Sequence, residues 1–330
     1  MILDWLVFLL SATAIILAGI RLAPYGEAIG RRTGIGQGWI GLLFLATLTS
    51  IPEMTTTVTG AMIDVPNIAL GNAFGSNLFN VVIIAVLDVL LLGRGPFLLK
   101  VRTYHMLSGS VAIVLTMLAA LGLVIGSPLT WLGISPFSWL ILVGYVVGVF
   151  LLYHAEKKQT ELEEETSEPM SLQKALLGFA ISAIVVIVSG IFLIRASKEI
   201  ALTTGVSASF MGAILVAIVT SLPELATSIG ALRIGAYDMI VGNLFGSNMF
   251  NILTIFFADS AFRSGSILAG LGDGAGDQLI VAICGVLLTV IAMIAIGVRS
   301  RRKLFGVGID SIFLWVAYLM ATILIISRGI

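Results

Sequence analysis

Long apolar runs, each ended by charged residues or by Gly and Pro, occupy nearly the whole chain. A membrane-spanning helix needs about 20 mostly apolar residues. Ten segments qualify, roughly 3–23, 37–62, 67–92, 104–126, 136–154, 173–196, 207–232, 238–260, 277–298 and 306–327. The polar stretch from His154 to Lys174 leaves five runs on each side, and its Glu-rich middle (Glu161, Glu163, Glu164, Glu165, Glu168) reads as a solvated linker. The pattern predicts an all-α polytopic membrane protein: residues 1–154 form one five-helix unit, 155–172 an acidic linker, and 173–330 a second five-helix unit.

Composition agrees. The chain of 330 residues is 58% hydrophobic and 11% charged, with mean hydropathy +1.11, whereas a soluble domain carries about 25% charged residues. Net charge is zero, so nothing suggests a nucleic-acid partner. The lone Cys284 allows neither an intrachain disulfide nor a thiolate metal cluster, and reads as a small core residue. The first run carries Asp4 and no basic leader, so it is expected to be a retained span rather than a cleaved signal.

The polar residues inside the apolar runs repeat. Thr49-Ser50-Ile51-Pro52-Glu53 returns as Thr220-Ser221-Leu222-Pro223-Glu224, 171 residues later. Gly71-Asn72-Ala73-Phe74-Gly75-Ser76-Asn77-Leu78-Phe79-Asn80 returns at the same shift as Gly242-Asn243-Leu244-Phe245-Gly246-Ser247-Asn248-Met249-Phe250-Asn251. From Ala46–Asn80 to Ala217–Asn251, 15 of 35 positions are identical, concentrated at Thr, Ser, Pro, Glu, Gly and Asn. A shared lipid-facing pattern would match at Leu, Ile and Val instead. Because five is odd, homologous halves must enter the bilayer from opposite sides, giving inverted-topology repeats. Fourteen of the 18 Lys and Arg residues fall on one side of this plan; Arg195, Lys198, Arg263 and Arg328 are on the other. Basic residues stay cytoplasmic, so both termini should face outward and the linker inward, in the cell membrane.

A carboxylate at membrane depth is costly and marks an ion or proton path by default. Pro52 and Pro223 withhold a donor from the carbonyls one turn earlier, near Leu48 and Val219. Ser50 and Ser221 precede Glu53 and Glu224 by three residues, on the same helical face. Asn72, Ser76 and Asn80 form a polar stripe at four-residue spacing, repeated by Asn243, Ser247 and Asn251. Gly71 and Gly242 allow a broken helix or a close helix approach. The donor set is all oxygen, which suits hard cations and disfavours zinc or copper. Calcium takes 6–8 such oxygens, and several sodium ions could share them. Asp88 and Asp259 also match at the shift of 171; each lies eight residues past its asparagine, about 12 Å along a helix. Helix-end solvation is their expected role, with attraction of cations into two vestibules as the alternative.

The paired Thr-Ser-x-Pro-Glu and Gly-Asn-x-x-Gly-Ser-Asn blocks resemble the two alpha repeats of the cation/calcium exchanger superfamily, with the sodium/calcium exchangers as the nearest branch. The resemblance implies exchange of several sodium ions for one calcium ion by alternating access, helices 1 and 6 sliding against a more fixed bundle. It implies that Glu53, Glu224 and the carbonyls of Thr49 and Thr220 hold calcium. It further implies that Ser50, Ser76, Ser221 and Ser247, with the carbonyls of Ala46 and Ala217, serve sodium. Asn80 and Asn251 complete the expected metal set; Pro52, Pro223, Asn72, Asn243, Gly71 and Gly242 support it. Prokaryotic members often have aspartate at the position of Asn251, and animal members asparagine. The linker of about twenty residues leaves no room for the calcium-sensing domains of the animal proteins. No cofactor and no obligatory protein partner are expected; the partners are calcium and sodium ions and the lipid bilayer.

Three rival readings use other features. A calcium/proton antiporter of the same superfamily would usually carry its acid in a Gly-Asn-x-x-Glu context, which is absent. An intramembrane aspartyl protease would pair Asp238 with Asp273, but the plan sets them roughly 30 Å apart across the hydrocarbon core. A channel fits inverted repeats with a closed midplane site less well than alternating access does.

Overall fold

In the computed structural model the chain is predominantly helical; the structure describes residues 2–33, 36–91, 96–160, 170–204, 217–269, 271, 274–304 and 306–327. The first run forms α1 (Ile2–Thr33), which passes through Pro24 rather than stopping before it. Proline offers no N–H to the carbonyl of Ile20. That carbonyl faces Gly230, where a Cβ would strike it.

The second run begins as α2 (Gln37–Trp39), widens into a π-helical stretch over Ile40–Leu45 and continues as α3 (Ala46–Thr49). It breaks at Ser50 and resumes as α4 (Ile51–Met62). Next come α5 (Pro66–Leu90), α6 (His105–Ile125), α7 (Pro136–Thr160) and α8 (Leu172–Thr204). Then follow α9 (Ala217–Thr220), α10 (Leu222–Arg233), α11 (Tyr237–Ala261) and α12 (Ala275–Val298). A small antiparallel hairpin, β1 (Lys303–Leu304) and β2 (Val307–Gly308), leads into α13 (Ile309–Ser327).

Among the described residues, seven helices are long and apolar enough to cross a membrane, against ten expected runs. Three physical details separate the two numbers. The run 37–62 is cut at Ser50, leaving the shorter apolar piece Ile40–Thr49. The run 207–232 falls partly outside the described residues. The last apolar stretch, Ile309–Ile325, is a short one. Toward the expected linker, α7 continues to Thr160 and α8 opens at Leu172, while the Glu-rich middle lies outside the described residues.

The two helices carrying the Gly-Asn blocks form the centre. In their most apolar windows α5 is 78% buried and α11 89%, against 33% for α1 and 22% for α7. The π-helical stretch, α4, α5 and α6 pack on α11; α12 packs on α5 and α6; α1 runs along α8 and α10. Glycines on both sides permit a close approach of the π-helical stretch to α11: a Cβ at Gly242 or Gly246 would strike the carbonyl oxygens of Gly38 and Leu42, and one at Gly41 that of Met239. Close approach, not a break, is what Gly242 provides, since α11 runs through it; Gly71 is likewise buried within the continuous α5. Outer helices expose Leu9, Leu10 and Leu17 on α1, Val146 and Phe150 on α7, and Leu177 and Ile184 on α8. So much exposed apolar surface suits contact with lipid.

Candidate cation site

Two helix breaks position the site. Ser50 adopts φ −89°, ψ 8°, and Ser221 adopts φ −88°, ψ 9°. Each serine N–H closes the preceding turn, Ser50 on the carbonyl of Ala46 and Ser221 on that of Ala217, both at 3.1 Å. Pro52 and Pro223 sit in the first turns of α4 and α10, where a missing N–H costs little. Glu53 and Glu224 follow in the same first turns, where the helix dipole favours negative charge. Both carboxylates are fully buried.

The hydroxyls cross between the halves. Ser50 Oγ donates to Glu224 Oε1 at 3.0 Å, and Ser221 Oγ donates to Glu53 Oε1 at 3.0 Å. Ser247 Oγ adds a second bond to Glu224 Oε1 at 3.1 Å, whereas its counterpart Ser76 lies 3.4 Å from the hydroxyl of Thr220. Thr49 Oγ1 donates to Asn243 Oδ1, and Thr220 Oγ1 to Asn72 Oδ1, both at 3.4 Å. Asn72 Nδ2 reaches back to the carbonyl of Glu53 at 3.2 Å and to Thr57 Oγ1 at 3.1 Å; Asn243 Nδ2 reaches Thr227 Oγ1 at 3.0 Å.

The asparagines also cross. Asn80 Nδ2 donates to Asn248 Oδ1, and Asn251 Nδ2 to Asn77 Oδ1, both at 3.1 Å. Asn77 Nδ2 donates to the carbonyl of Asn248 at 3.1 Å, and Asn248 Nδ2 to that of Asn77 at 3.3 Å.

Four acceptor oxygens of these crossed side chains are left over, apart from the lone Gln278 Oε1 and Ser228 Oγ elsewhere on α12 and α10. Among the described residues, Glu53 Oε2, Glu224 Oε2, Asn80 Oδ1 and Asn251 Oδ1 are buried with no hydrogen-bond donor. They form two pairs at the shift of 171. Buried polar atoms are normally satisfied, and acceptors lacking donors are what a bound cation would satisfy. Thus Glu53, Glu224, Ser50, Ser221, Ser76, Ser247, Thr49, Thr220, Asn72, Asn243, Asn80 and Asn251 are brought together by one buried hydrogen-bond network. Ala46 and Ala217 are buried beside it, their carbonyls already accepting the serine N–H groups. No group of three or more His, Cys, Asp or Glu suited to a metal occurs among the described residues. The site has two carboxylates and otherwise neutral oxygens.

The model of the sodium/calcium exchanger protein family matches residues 3–154 and 174–324. The chain belongs to that family. It is 28% identical to the inner membrane protein YrbG of Escherichia coli strain K12 over 278 residues, 78% of this chain and 82% of YrbG. It is 23% identical to the sodium/calcium exchanger MaX1 of Methanosarcina acetivorans over 290 residues, 78% of this chain and 83% of MaX1. Among solved structures, the sodium-calcium exchanger NCX_Mj soaked with sodium and calcium superimposes with TM-score 0.74 at 22% identity, covering 98% of each chain. That likeness shows a shared fold. The family is one of membrane ion exchangers rather than enzymes. Asp238, offered to a protease pair, instead accepts the N–H of Arg102 at 2.8 Å and lies 3.3 Å from both the Arg102 guanidinium and His105. Asp273 lies outside the described residues.

One expectation for this family member is corrected. Asp88 and Asp259 are neither solvated helix ends nor open to vestibules; they are 3% and 0% exposed. Asp88 accepts the N–H groups of Phe97 at 2.6 Å and Gly308 at 2.7 Å. Asp259 accepts those of Ser135 and Ile267, and the hydroxyl of Ser138, all at 2.7 Å. Each carboxylate therefore ties the loop after its own helix to the start of a helix in the other half. Sequence reasoning also passed over Asn77 and Asn248, although both stand inside the repeated block, where the pairing at 171 marks them. Cys284 is half-buried and packs against the core, as expected of it.

Proposed function

We propose that this protein exchanges sodium ions for calcium by alternating access. In this reading two five-helix repeats of opposite orientation, residues 1–154 and 173–330, flank one ion site near the bilayer midplane, and residues 155–172 form a cytoplasmic linker. The observation that carries it is the set of four donorless oxygens, from Glu53, Glu224, Asn80 and Asn251, buried within an all-oxygen cluster. Two carboxylates balance one calcium ion or two sodium ions, so either cargo leaves a neutral site. Calcium is assigned to both glutamates and the carbonyls of Thr49 and Thr220. Sodium is assigned to Ser50, Ser76, Ser221 and Ser247 and to the carbonyls of Ala46 and Ala217, while the amide oxygens of Asn80 and Asn251 serve either ion. The helix breaks at Ser50 and Ser221 support a site reached from two sides, because irregular backbone at membrane depth is tolerated where it lines an ion or a cavity. The excess of Lys and Arg on one side supports termini facing outward. Calcium uptake into proteoliposomes, with sodium, potassium or proton gradients imposed separately and pH clamped by ionophore, tests the proposal. Uptake driven by sodium supports it; uptake driven only by protons would replace it with calcium/proton antiport.

A further inference from the structure

We infer that Asn77 and Asn248 are positioning residues that force Asn80 and Asn251 to present oxygen, and not nitrogen or a carboxylate, to the transported ion. The inference rests on the proposed cation site. Its starting point is two atoms with no freedom: the backbone carbonyls of Asn77 and Asn248 can only accept. The Nδ2 group of each of these asparagines faces the carbonyl of the other, at 3.1 and 3.3 Å. Each Oδ1 must then point the opposite way, toward the side chain three residues past the equivalent position in the other half. There it meets Asn251 Nδ2 or Asn80 Nδ2 at 3.1 Å. Those positions are obliged to donate, which turns their own Oδ1 atoms away from the lock. These are the two amide oxygens buried without a donor. Turning over Asn77 or Asn248 sets NH2 against NH2 and oxygen against oxygen, and turning over Asn80 or Asn251 sets oxygen against oxygen, so the four amides hold a single polarity.

The lock has a consequence for charge. An ionised aspartate at position 80 or 251 would face the Oδ1 of Asn248 or Asn77, oxygen against oxygen, in a place with little water: Asn77 is 5% exposed and Asn248 1%. The geometry thereby limits the site to two fixed negative charges. Asn77 and Asn248 do this without reaching the ion, since their oxygens are already engaged.

The test is a double-mutant cycle on calcium affinity, read as the half-saturating calcium concentration in proteoliposome exchange and as the calcium-dependent rise in melting temperature of the purified full chain. Asn77→Ala and Asn251→Ala should each raise the half-saturating concentration about tenfold, and the double variant should do no worse than either. Asn248→Ala and Asn80→Ala should behave likewise. The uncoupled pair Asn77→Ala and Asn80→Ala should multiply to about a hundredfold. A purely structural role would lower the melting temperature with and without calcium alike and leave the half-saturating concentration unchanged, which would overturn the inference, as would additivity within the crossed pairs. If an alanine variant is not recovered folded, Asn77→Ser and Asn248→Ser keep a small polar group there and carry the same cycle. Glu53→Gln separates the two layers: retained calcium binding in that variant removes the cation site itself, whereas lost binding there with unaltered affinity in the Asn77 and Asn248 variants removes only the lock.

Discussion

Two pairs of buried carboxylates can be compared, both repeated at a shift of 171 and both inside apolar helices. Asp88 and Asp259 have every oxygen answered, chiefly by backbone N–H groups at 2.6–2.7 Å. Glu53 and Glu224 each have one oxygen answered by serine and one left bare. Burial and repetition are the same; satisfaction differs. A carboxylate whose acceptors are filled by fixed amides is a staple between loops. One that keeps an acceptor free, beside others that do the same, leaves oxygens that a cation would satisfy. Acidity at membrane depth therefore raises the question of function, and the count of donors tells the two pairs apart.

The sharpest way to break this comparison is to neutralise each pair. Glu53→Gln or Glu224→Gln should lower calcium flux in proteoliposomes by more than about 100-fold, since removing one partner of a buried charged contact costs about 3–5 kcal/mol. Wild-type flux in either variant would remove the proposed site. Asp259→Asn should instead leave the half-saturating calcium concentration unchanged and lower stability by about 2–4 kcal/mol, because the new NH2 faces groups that already donate. Asp88→Asn, with two answered donors against three, should cost less. Thermal denaturation in detergent reads both, and a shifted calcium affinity would show that the staples also act on the ion. Asn251→Asp sets a carboxyl group against the Oδ1 of Asn77 and should change the sodium dependence of exchange several-fold; an unaltered sodium curve would place position 251 outside the ion shell. The smallest effect concerns the two glutamates themselves. Ser221→Ala strips the hydroxyl donor from Glu53, while Ser247→Ala leaves Glu224 with Ser50, so Ser221→Ala should raise half-saturating calcium by a few-fold more, each lost hydrogen bond to a charge being worth about 1.5–3 kcal/mol at most. Flux assays on the matched pair settle the order.

Much of this was legible in the chain because membrane depth makes polar residues conspicuous. Glu53 and Glu224 with their serines and asparagines stood out against Leu, Ile and Val, and the repeat told which residues belonged together. Helix ends were less legible. Pro24 suggested a stop, yet α1 continues, since a neighbouring glycine accommodates the carbonyl that proline leaves bare. The π-helical turn at Ile40–Leu45 has no local signature, because its neighbour α11 is in another part of the chain. Asp88 and Asp259 were misread for a related reason: their donors are backbone N–H groups of distant loops, and backbone groups leave no mark in the sequence. Asn77 and Asn248 lie off the four-residue stripe of Asn72, Ser76 and Asn80 and its repeat, and only the crossing of their amides, a contact between distant segments, draws them into the network.

The crossed hydrogen bonds also bear on how the protein is made. Glu53 waits for Ser221, and Asn80 for Asn248, so neither half contains a finished site. At about 5–20 residues per second, the ribosome reaches the second block on the order of 10–30 s after the first. For that interval the nascent first half holds an acid and a row of amides in or beside the bilayer with none of the donors that will answer them. An isolated first half is therefore a poor membrane solute, and joining the two halves in one polypeptide shortens its exposure to the time of one round of elongation.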